Sequence, residues 1–277
     1  MQNSPIGLMD SGVGGLTVLK EVQRLLPTEK TVFLGDQARL PYGPRDAAEV
    51  TTFTRQIAGF LQRQADIKML IIACNTATAA ALTTMQKELT IPVVGVIAPG
   101  ARAAVQATRN HRIGVIATTG TVKSDQYQQT ILAKDPHNTV FSLAVQNFVD
   151  LVEANDLTSA HAQSVIKTGL VPLLDKDIDT LVMGCTHFPL LRPLIQEVVG
   201  PHVTLVDPGT ATANMATALL DYWNLANPSG VQHPAGDYFT TGDVDRFNKL
   251  ADNWLVETPV RAHHLPVAEL TQTTEVE

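Results

Sequence analysis

The chain repeats itself. Ile6-Gly7-Leu8-Met9 returns as Ile113-Gly114-Val115-Ile116, an offset of 107 residues. Met69-Leu70-Ile71-Ile72-Ala73-Cys74 returns as Thr180-Leu181-Val182-Met183-Gly184-Cys185, an offset of 111. Gly95-Val96-Ile97-Ala98-Pro99-Gly100 returns loosely as Leu205-Val206-Asp207-Pro208-Gly209, with the prolines 109 apart. Any two strand–turn–helix units look somewhat alike, so no single match is strong. Three matches in one order at nearly one offset indicate a duplicated unit.

The repeated pieces belong to an alternating pattern. Short β-branched runs predict buried strands at Ile6–Met9, Thr31–Leu34, Met69–Ile72, Val93–Ile97, Ile113–Ile116, Thr180–Met183 and Thr204–Val206. Apolar spacing between them predicts helices over Leu16–Leu26, Ala47–Gln64 and Thr76–Glu88. Strand–helix alternation gives parallel strands covered by helices on both faces. The expected fold class is therefore α/β, with two similar domains related by a pseudo-twofold duplication, and 277 residues suffice for two. Ligands of such sheets bind beyond the carboxyl ends of the strands. Asn227-Pro228-Ser229-Gly230 reads as a loop, and Thr271 to Glu277 as a polar, frayed end.

Duplication turns a count of two cysteines into a geometry. Cys74 and Cys185 take equivalent places, each after a strand and before a helix. If the units face each other, so do the sulfurs, across a cleft. Met1–Asp10 lacks the basic and apolar regions of a signal peptide, and no apolar run reaches membrane-spanning length, so we expect a cytoplasmic protein with no membrane partner. In that compartment both thiols stay reduced, and the absence of CxxC argues against a zinc knuckle or thioredoxin motif. The net charge of −7 and the lack of a Lys/Arg cluster leave a nucleic-acid partner unexpected. An acidic protein with an anionic substrate must attract it through backbone N–H groups and hydroxyls.

The loops after the strands carry the chemistry. A cysteine at a helix N-terminus has its thiolate favoured by free N–H groups, which suits Cys74-Asn75-Thr76; alone, it reads as well as a small buried hydrophobe. Gly184-Cys185-Thr186-His187-Phe188-Pro189 has the same placement, with His187 either a proton partner of Cys185 or a capping side chain. Cys74, Cys185 and His187 make a weak metal set, and no metal is expected. Asp10-Ser11-Gly12-Val13-Gly14-Gly15 fails as a dinucleotide fingerprint because Thr17 stands where a glycine belongs, and no Gly-Lys-Ser/Thr follows it. It remains an anion cradle or a tight turn, with Asp10 a proton partner or a helix cap. In Asp36 to Gly43, Tyr42 and Gly43 can line a pocket with a hydroxyl and a backbone N–H while Asp36 supports the loop; a Pro-Tyr-Gly surface turn is the alternative. Ala117-Thr118-Thr119-Gly120-Thr121 mirrors the Asp-Ser-Gly turn with hydroxyls, and Glu153 follows an apolar pair.

Two cysteines on opposite faces of a carbon can invert it. One acts as thiolate base, the other as thiol acid, and the roles exchange in reverse, without any cofactor. The α-proton of an amino acid is far less acidic than a thiol; a gap on the order of ten pK units corresponds to ~14 kcal/mol. A dry site that stabilises the developing charge must supply most of it.

These motifs resemble the glutamate racemase family of the aspartate/glutamate racemase superfamily. Met9 to Leu16, Pro41-Tyr42-Gly43, Cys74-Asn75-Thr76-Ala77 and Gly184 to Leu190 occur in family order, and the resemblance runs from about Pro5 to Asn224. It implies a pyridoxal phosphate-independent bacterial isomerase that supplies D-glutamate for peptidoglycan, and so for cell-wall biogenesis and cell shape. It implies an active site between two domains, residues 1–97 with 207–277 and residues 98–206. It implies that Cys74 takes the proton from D-glutamate and Cys185 from L-glutamate, with Asp10 and His187 as proton partners. Asp10, Ser11, Tyr42, Gly43, Asn75, Thr76, Thr121, Thr186 and His187 would hold substrate, with Asp36 and Glu153 in support. A homodimer is expected. An aspartate or hydantoin racemase, or a non-catalytic amino-acid-binding protein, is the alternative.

Overall fold

Strands form at all seven expected apolar runs and at three places where none was expected, and among the described residues every one pairs in parallel. The computed structural model describes residues 1–228, 230, 235–255 and 259–271. Ser229 of the expected loop and residues 272–277 of the expected frayed end lie outside the described residues. The first sheet has the order β10-β9-β2-β1-β3-β4, built from β1 (Ile6–Asp10), β2 (Thr31–Gly35), β3 (Met69–Ile72), β4 (Val93–Gly95), β9 (Asp237–Thr240) and β10 (Ala262–His264). The second has the order β6-β5-β7-β8, from β5 (Arg112–Ala117), β6 (Thr139–Ala144), β7 (Thr180–Gly184) and β8 (Thr204–Val206).

The duplication is visible in those orders. The run β2-β1-β3-β4 has the same arrangement as β6-β5-β7-β8, so each strand has a counterpart. Even the pair without an expected match carries one: Thr31-Val32-Phe33 opens β2 and Thr139-Val140-Phe141 opens β6. The first sheet then gains β9 and β10 from the C-terminal part of the chain. The fold is α/β with two domains, each a parallel sheet flanked by helices.

One expected strand is shortened. β4 ends at Gly95, and Ile97 begins the helix Ile97–Ala107. A Cβ on Gly95 would lie 2.4 Å from the Thr78 side chain, so the strand ends where another helix crosses closely.

Alternation along the strands explains the core. Ile6 and Leu8 point to one face of the first sheet, and Met9 to the other. The first face shares a continuous apolar cluster with the second domain, where Leu8, Leu16 and Phe33 join Phe148, Met183 and Phe188. Helices earn their places in the same way. The helix Leu16–Leu25 buries Leu16, Val18, Leu19 and Val22 on one side. The helix Ala47–Ala65 begins on Asp46, whose carboxylate accepts from Ala48 and Glu49 N–H groups, and ends at Asp66 in the left-handed region.

Candidate active site

The two cysteines stand at the carboxyl ends of corresponding strands and line one pocket. Cys74 follows β3 and Cys185 follows β7, and β1 and β5 deliver their own loops to the same place. The pocket, about 320 Å³ counting the space open to solvent at its mouth, is lined also by Ser11, Leu40, Pro41, Tyr42, Gly43, Asn75, Thr76, Thr118, Gln146, Val149, Thr186 and His187. No Lys or Arg is among these. A larger groove of about 1600 Å³ lies between the helices Ile97–Ala107 and Pro208–Tyr222, and neither cysteine lines it. Convergent nucleophiles and donors single out the smaller pocket as the site.

Cys74 is the N-cap of the helix Asn75–Glu88, and its sulfur accepts from the Ala77 N–H at 3.4 Å. The helix end does not make it an easy thiolate. Burial first, and then the Asp10 carboxylate, push the Cys74 thiol up to about 12; the Ala77 N–H and the Ser11 hydroxyl, at 3.6 Å, offset only part of that. Asp10 is fully buried, and desolvation pushes its carboxyl up to about 6. The charge of His187 and donors from Gly15, Gly12 and Thr186 pull it back. Asp10 is not the cap of the helix Leu16–Leu25, which starts on Gly15 without a side-chain cap. Its carboxylate accepts from the Gly12 N–H at 3.1 Å and from the Thr186 hydroxyl at 3.3 Å.

The Cys185 side is built differently. Cys185 is followed by a short 3-10 turn, Phe188–Leu191, before the helix Arg192–Val199, so it does not cap an α-helix as Cys74 does. An imidazole lies beside it instead. His187 Nδ1 lies 3.7 Å from Cys185 Sγ, and Nε2 lies 2.8 Å from Glu153 Oε1. Burial disfavours the imidazolium, yet Cys185 and Glu153 together hold the His187 pKa well above its ordinary value. Burial likewise acts against the charge of Glu153, and His187 with Arg246 overcomes it, holding this carboxyl below its usual range. Arg246 donates to Glu153 Oε2 at 3.0 Å and to the Glu153 backbone carbonyl.

The remaining expected residues fall into place around the pocket or behind it. Tyr42 lines the pocket, but its hydroxyl is turned away to donate to Asp36. Asp36 is fully buried and also accepts from Arg39 Nε at 2.6 Å and the Thr241 hydroxyl at 2.9 Å; it holds the loop from behind. Gly43 is pressed against the second domain, where an added Cβ would lie 2.4 Å from Gln146 Oε1. Thr76, Thr118 and Thr121 form a ring of hydroxyls 2.9 to 3.3 Å apart, and of these Thr121 sits behind the pocket wall. Asn75 Oδ1 accepts the Tyr127 hydroxyl at 2.7 Å.

Thr118, Gln146 and Arg246 were not among the expected site residues. Thr118 had a signal, since it stands in the turn that mirrors Asp10-Ser11. Arg246 had none, being 93 residues from its partner. Among the described residues, no three His, Cys, Asp or Glu side chains come together as a metal site. No helix of the described residues is long and apolar enough to cross a membrane.

Comparison with known proteins points the same way. Residues 6–216 match the family model of the Asp/Glu/hydantoin racemases. A glutamate racemase from Levilactobacillus brevis is 66% identical over 276 residues, which is 100% of both chains. One from Lactiplantibacillus plantarum is 54% identical, covering 94% of this chain and 95% of its own. The crystal structure of a glutamate racemase isoform from Bacillus anthracis superimposes with a TM-score of 0.92 at 39% identity, covering 96% of this chain and 99% of that one. That of the Francisella tularensis glutamate racemase in complex with D-glutamate gives 0.88 at 32% identity, covering 96% and 99%. A chain with paired cysteines at duplicated strand ends, matched over nearly its whole length by such relatives, belongs to the Asp/Glu/hydantoin racemase family.

Proposed function

We propose that this enzyme interconverts L- and D-glutamate by two-base proton transfer between Cys74 and Cys185. The observation that carries the reading is that both sulfurs line one pocket from equivalent strand ends. In one direction the Cys185 thiolate takes the α-proton of L-glutamate, and the Cys74 thiol gives its proton to the opposite face. The carbanion gains a proton as Cys185 keeps one, so the pair ends with its single proton on the other sulfur. Proton exchange through His187 and Asp10 restores the starting state. The reverse direction runs the same steps with the roles exchanged.

The two sides suit these roles. Cys74, with its pKa pushed far up, rests as a thiol acid. On the other side the His187 imidazole lies 3.7 Å from the Cys185 sulfur, within reach of its proton. Substrate carboxylates would meet hydroxyls and N–H groups of Ser11, Gly43, Asn75, Thr76 and Thr186, with Tyr42 as a wall and Thr121 behind; a pocket without Lys or Arg fits donors of this kind. We assign the domains to residues 1–97 with 207–277 and to residues 98–206, because the strands of the second sheet run only from 112 to 206. We place the enzyme in the cytoplasm, where free thiols persist, as a source of D-glutamate for peptidoglycan. A homodimer belongs to this proposal; the exposed Tyr222 and Trp223 offer aromatic surface of the kind enriched at subunit contacts.

Incubation with L-glutamate in D2O, without pyridoxal phosphate, tests the reading. Optical rotation should fall to zero while deuterium enters the α-carbon. Exchange with aspartate but none with glutamate would overturn the substrate.

A further inference from the structure

We infer that Arg246 is a positioning residue for this racemisation: it reaches from the first domain to hold Glu153, and through Glu153 it fixes the imidazole of His187 against Cys185. The inference rests on the proposed role of His187 as the proton partner of Cys185.

Four groups from three parts of the chain form one line. Arg246 lies on the helix Val244–Trp254, whose neighbouring strands β9 and β10 complete the first sheet. Glu153 ends the helix Asn147–Glu153, and His187 and Cys185 follow β7 of the second sheet. Arg246 takes Glu153 Oε2 at 3.0 Å together with the Glu153 backbone carbonyl, which leaves Oε1 for His187 at 2.8 Å. A carboxylate gripped on one oxygen and at its own backbone cannot turn freely about its side-chain torsions, so its second oxygen holds a fixed direction. The imidazole is thereby set with Nδ1 facing the Cys185 sulfur at 3.7 Å.

The arginine itself is firmly seated at its root. Asp243 caps its helix by accepting from the Arg246 N–H at 2.7 Å. The next residue, Phe247, is fully buried and packs on Phe33 with ring centroids 6.0 Å apart. The Arg246 side chain is half exposed, so changing it empties no core space.

The charge pattern gives a readout that packing alone would not. The groups acting on Glu153 are His187 and Arg246, and those acting on His187 are Cys185, Glu153 and, at the end of β1, Asp10. Neutralising Arg246 removes one of the two cations that favour the Glu153 carboxylate, so Glu153 protonates at higher pH. The acidic limb of the pH profile, where Glu153 takes up its proton, therefore moves upward.

The test compares the pH dependence of kcat/KM for the full-length wild type, Arg246→Gln, Arg246→Lys and Glu153→Gln, each checked for an unchanged melting temperature. Arg246→Gln should lower kcat/KM about tenfold, the scale of one charged hydrogen bond, and move the acidic limb upward. Arg246→Lys should leave the limbs in place and recover most of the rate. A profile for Arg246→Gln that keeps its shape and position overturns the proposal. If Glu153→Gln shifts the profile and Arg246→Gln does not, Arg246 alone is misassigned. If neither shifts it, the role given to His187 fails as well.

Discussion

Thr186 donates its hydroxyl to the Asp10 carboxylate at 3.3 Å, joining the loop after β7 to the last residue of β1 inside a buried site. The bond is one of few donors to a carboxyl that burial pushes up to about 6, against an ordinary 3.8. Between those two values the folded protein binds a proton that the unfolded chain has released. Stability contributed by this group is therefore full below about pH 4 and falls as pH rises to about 6. Above that, the ionised buried carboxylate costs up to about 3 kcal/mol at ~1.4 per unit. Asp10→Asn should remove the cost, so urea unfolding at pH 7.5 should show a more stable protein with much reduced activity. Equal stability of variant and wild type at pH 7.5 would contradict the burial argument.

Thr186→Val should act on the same carboxyl in the opposite sense. The lost hydroxyl was holding the Asp10 pKa down, so its removal raises it further. If ionised Asp10 serves the Cys74 side, the acidic limb of kcat/KM moves to higher pH. A rate loss with an unmoved acidic limb would show that Thr186 touches substrate only.

The proposed thiol pair makes a sharper demand. Serine keeps the shape of cysteine but is a far weaker base, so Cys74→Ser and Cys185→Ser should each lower kcat by about 10³-fold or more. Glutamate binding, read by calorimetry, should persist because the donor groups around the pocket remain. Because a racemisation has an equilibrium constant of one, kcat/KM must stay equal in the two directions for every variant. The asymmetry of the site is therefore read in deuterium isotope effects measured from L- and from D-[α-²H]glutamate. A serine variant that racemises at more than a tenth of the wild-type rate would dismiss that sulfur as a base.

Much of the fold could be read from the chain because its determinants are local and repeated. Buried parallel strands need apolar runs, and the duplication doubled each signal. The missing strands have physical reasons. β6 lies at a sheet edge with half-exposed alternation, and β9 and β10 are short and carry polar residues such as Asp237 and His264. Residues in the loops after β1, β3 and β7 were visible because strand ends place them together. The direction of a side chain was not visible. Tyr42 turns to Asp36, and the effect of burial on Cys74 exceeds that of its helix end, because both depend on what packs behind the loop.

Close approach of the two domains depends on glycine at Gly14. A Cβ there would lie 2.5 Å from Thr186 Oγ1 and 2.6 Å from His187 Nδ1, and neither group can retreat without breaking its own bonds. Gly14→Ala should therefore push the Thr186–His187 loop away and lower kcat/KM by at least ~10²-fold. Gly59→Ala is the control. It lies inside the helix Ala47–Ala65, where its added Cβ meets only the tip of the Arg63 side chain at 3.2 Å. It should keep full activity and gain about 0.5–1 kcal/mol of stability from helix propensity. Normal activity in Gly14→Ala would refute the close contact.

A buried ion pair ties the returning chain to the first sheet. Lys68 and Glu29 are both buried, with Lys68 Nζ 2.5 Å from Glu29 Oε2. Lys68 also donates to the carbonyls of Gln2 at 2.7 Å and Leu225 at 2.8 Å, and Glu29 accepts from the Asn227 N–H at 2.7 Å. The pair thus collects the N-terminus, the approach to β3 and the segment that leads back toward β9. Removing one partner leaves the other charged and dry, which typically costs about 3–5 kcal/mol. Lys68→Met should lower the unfolding free energy by that amount. Lys68→Met combined with Glu29→Leu should recover a large part of the loss, because no charge is then stranded. Since the pair lies far from the cysteines, kcat should stay near wild type in whatever fraction remains folded. Full stability in the single variant would mean that water reaches these groups and that the two chain segments are held by other contacts.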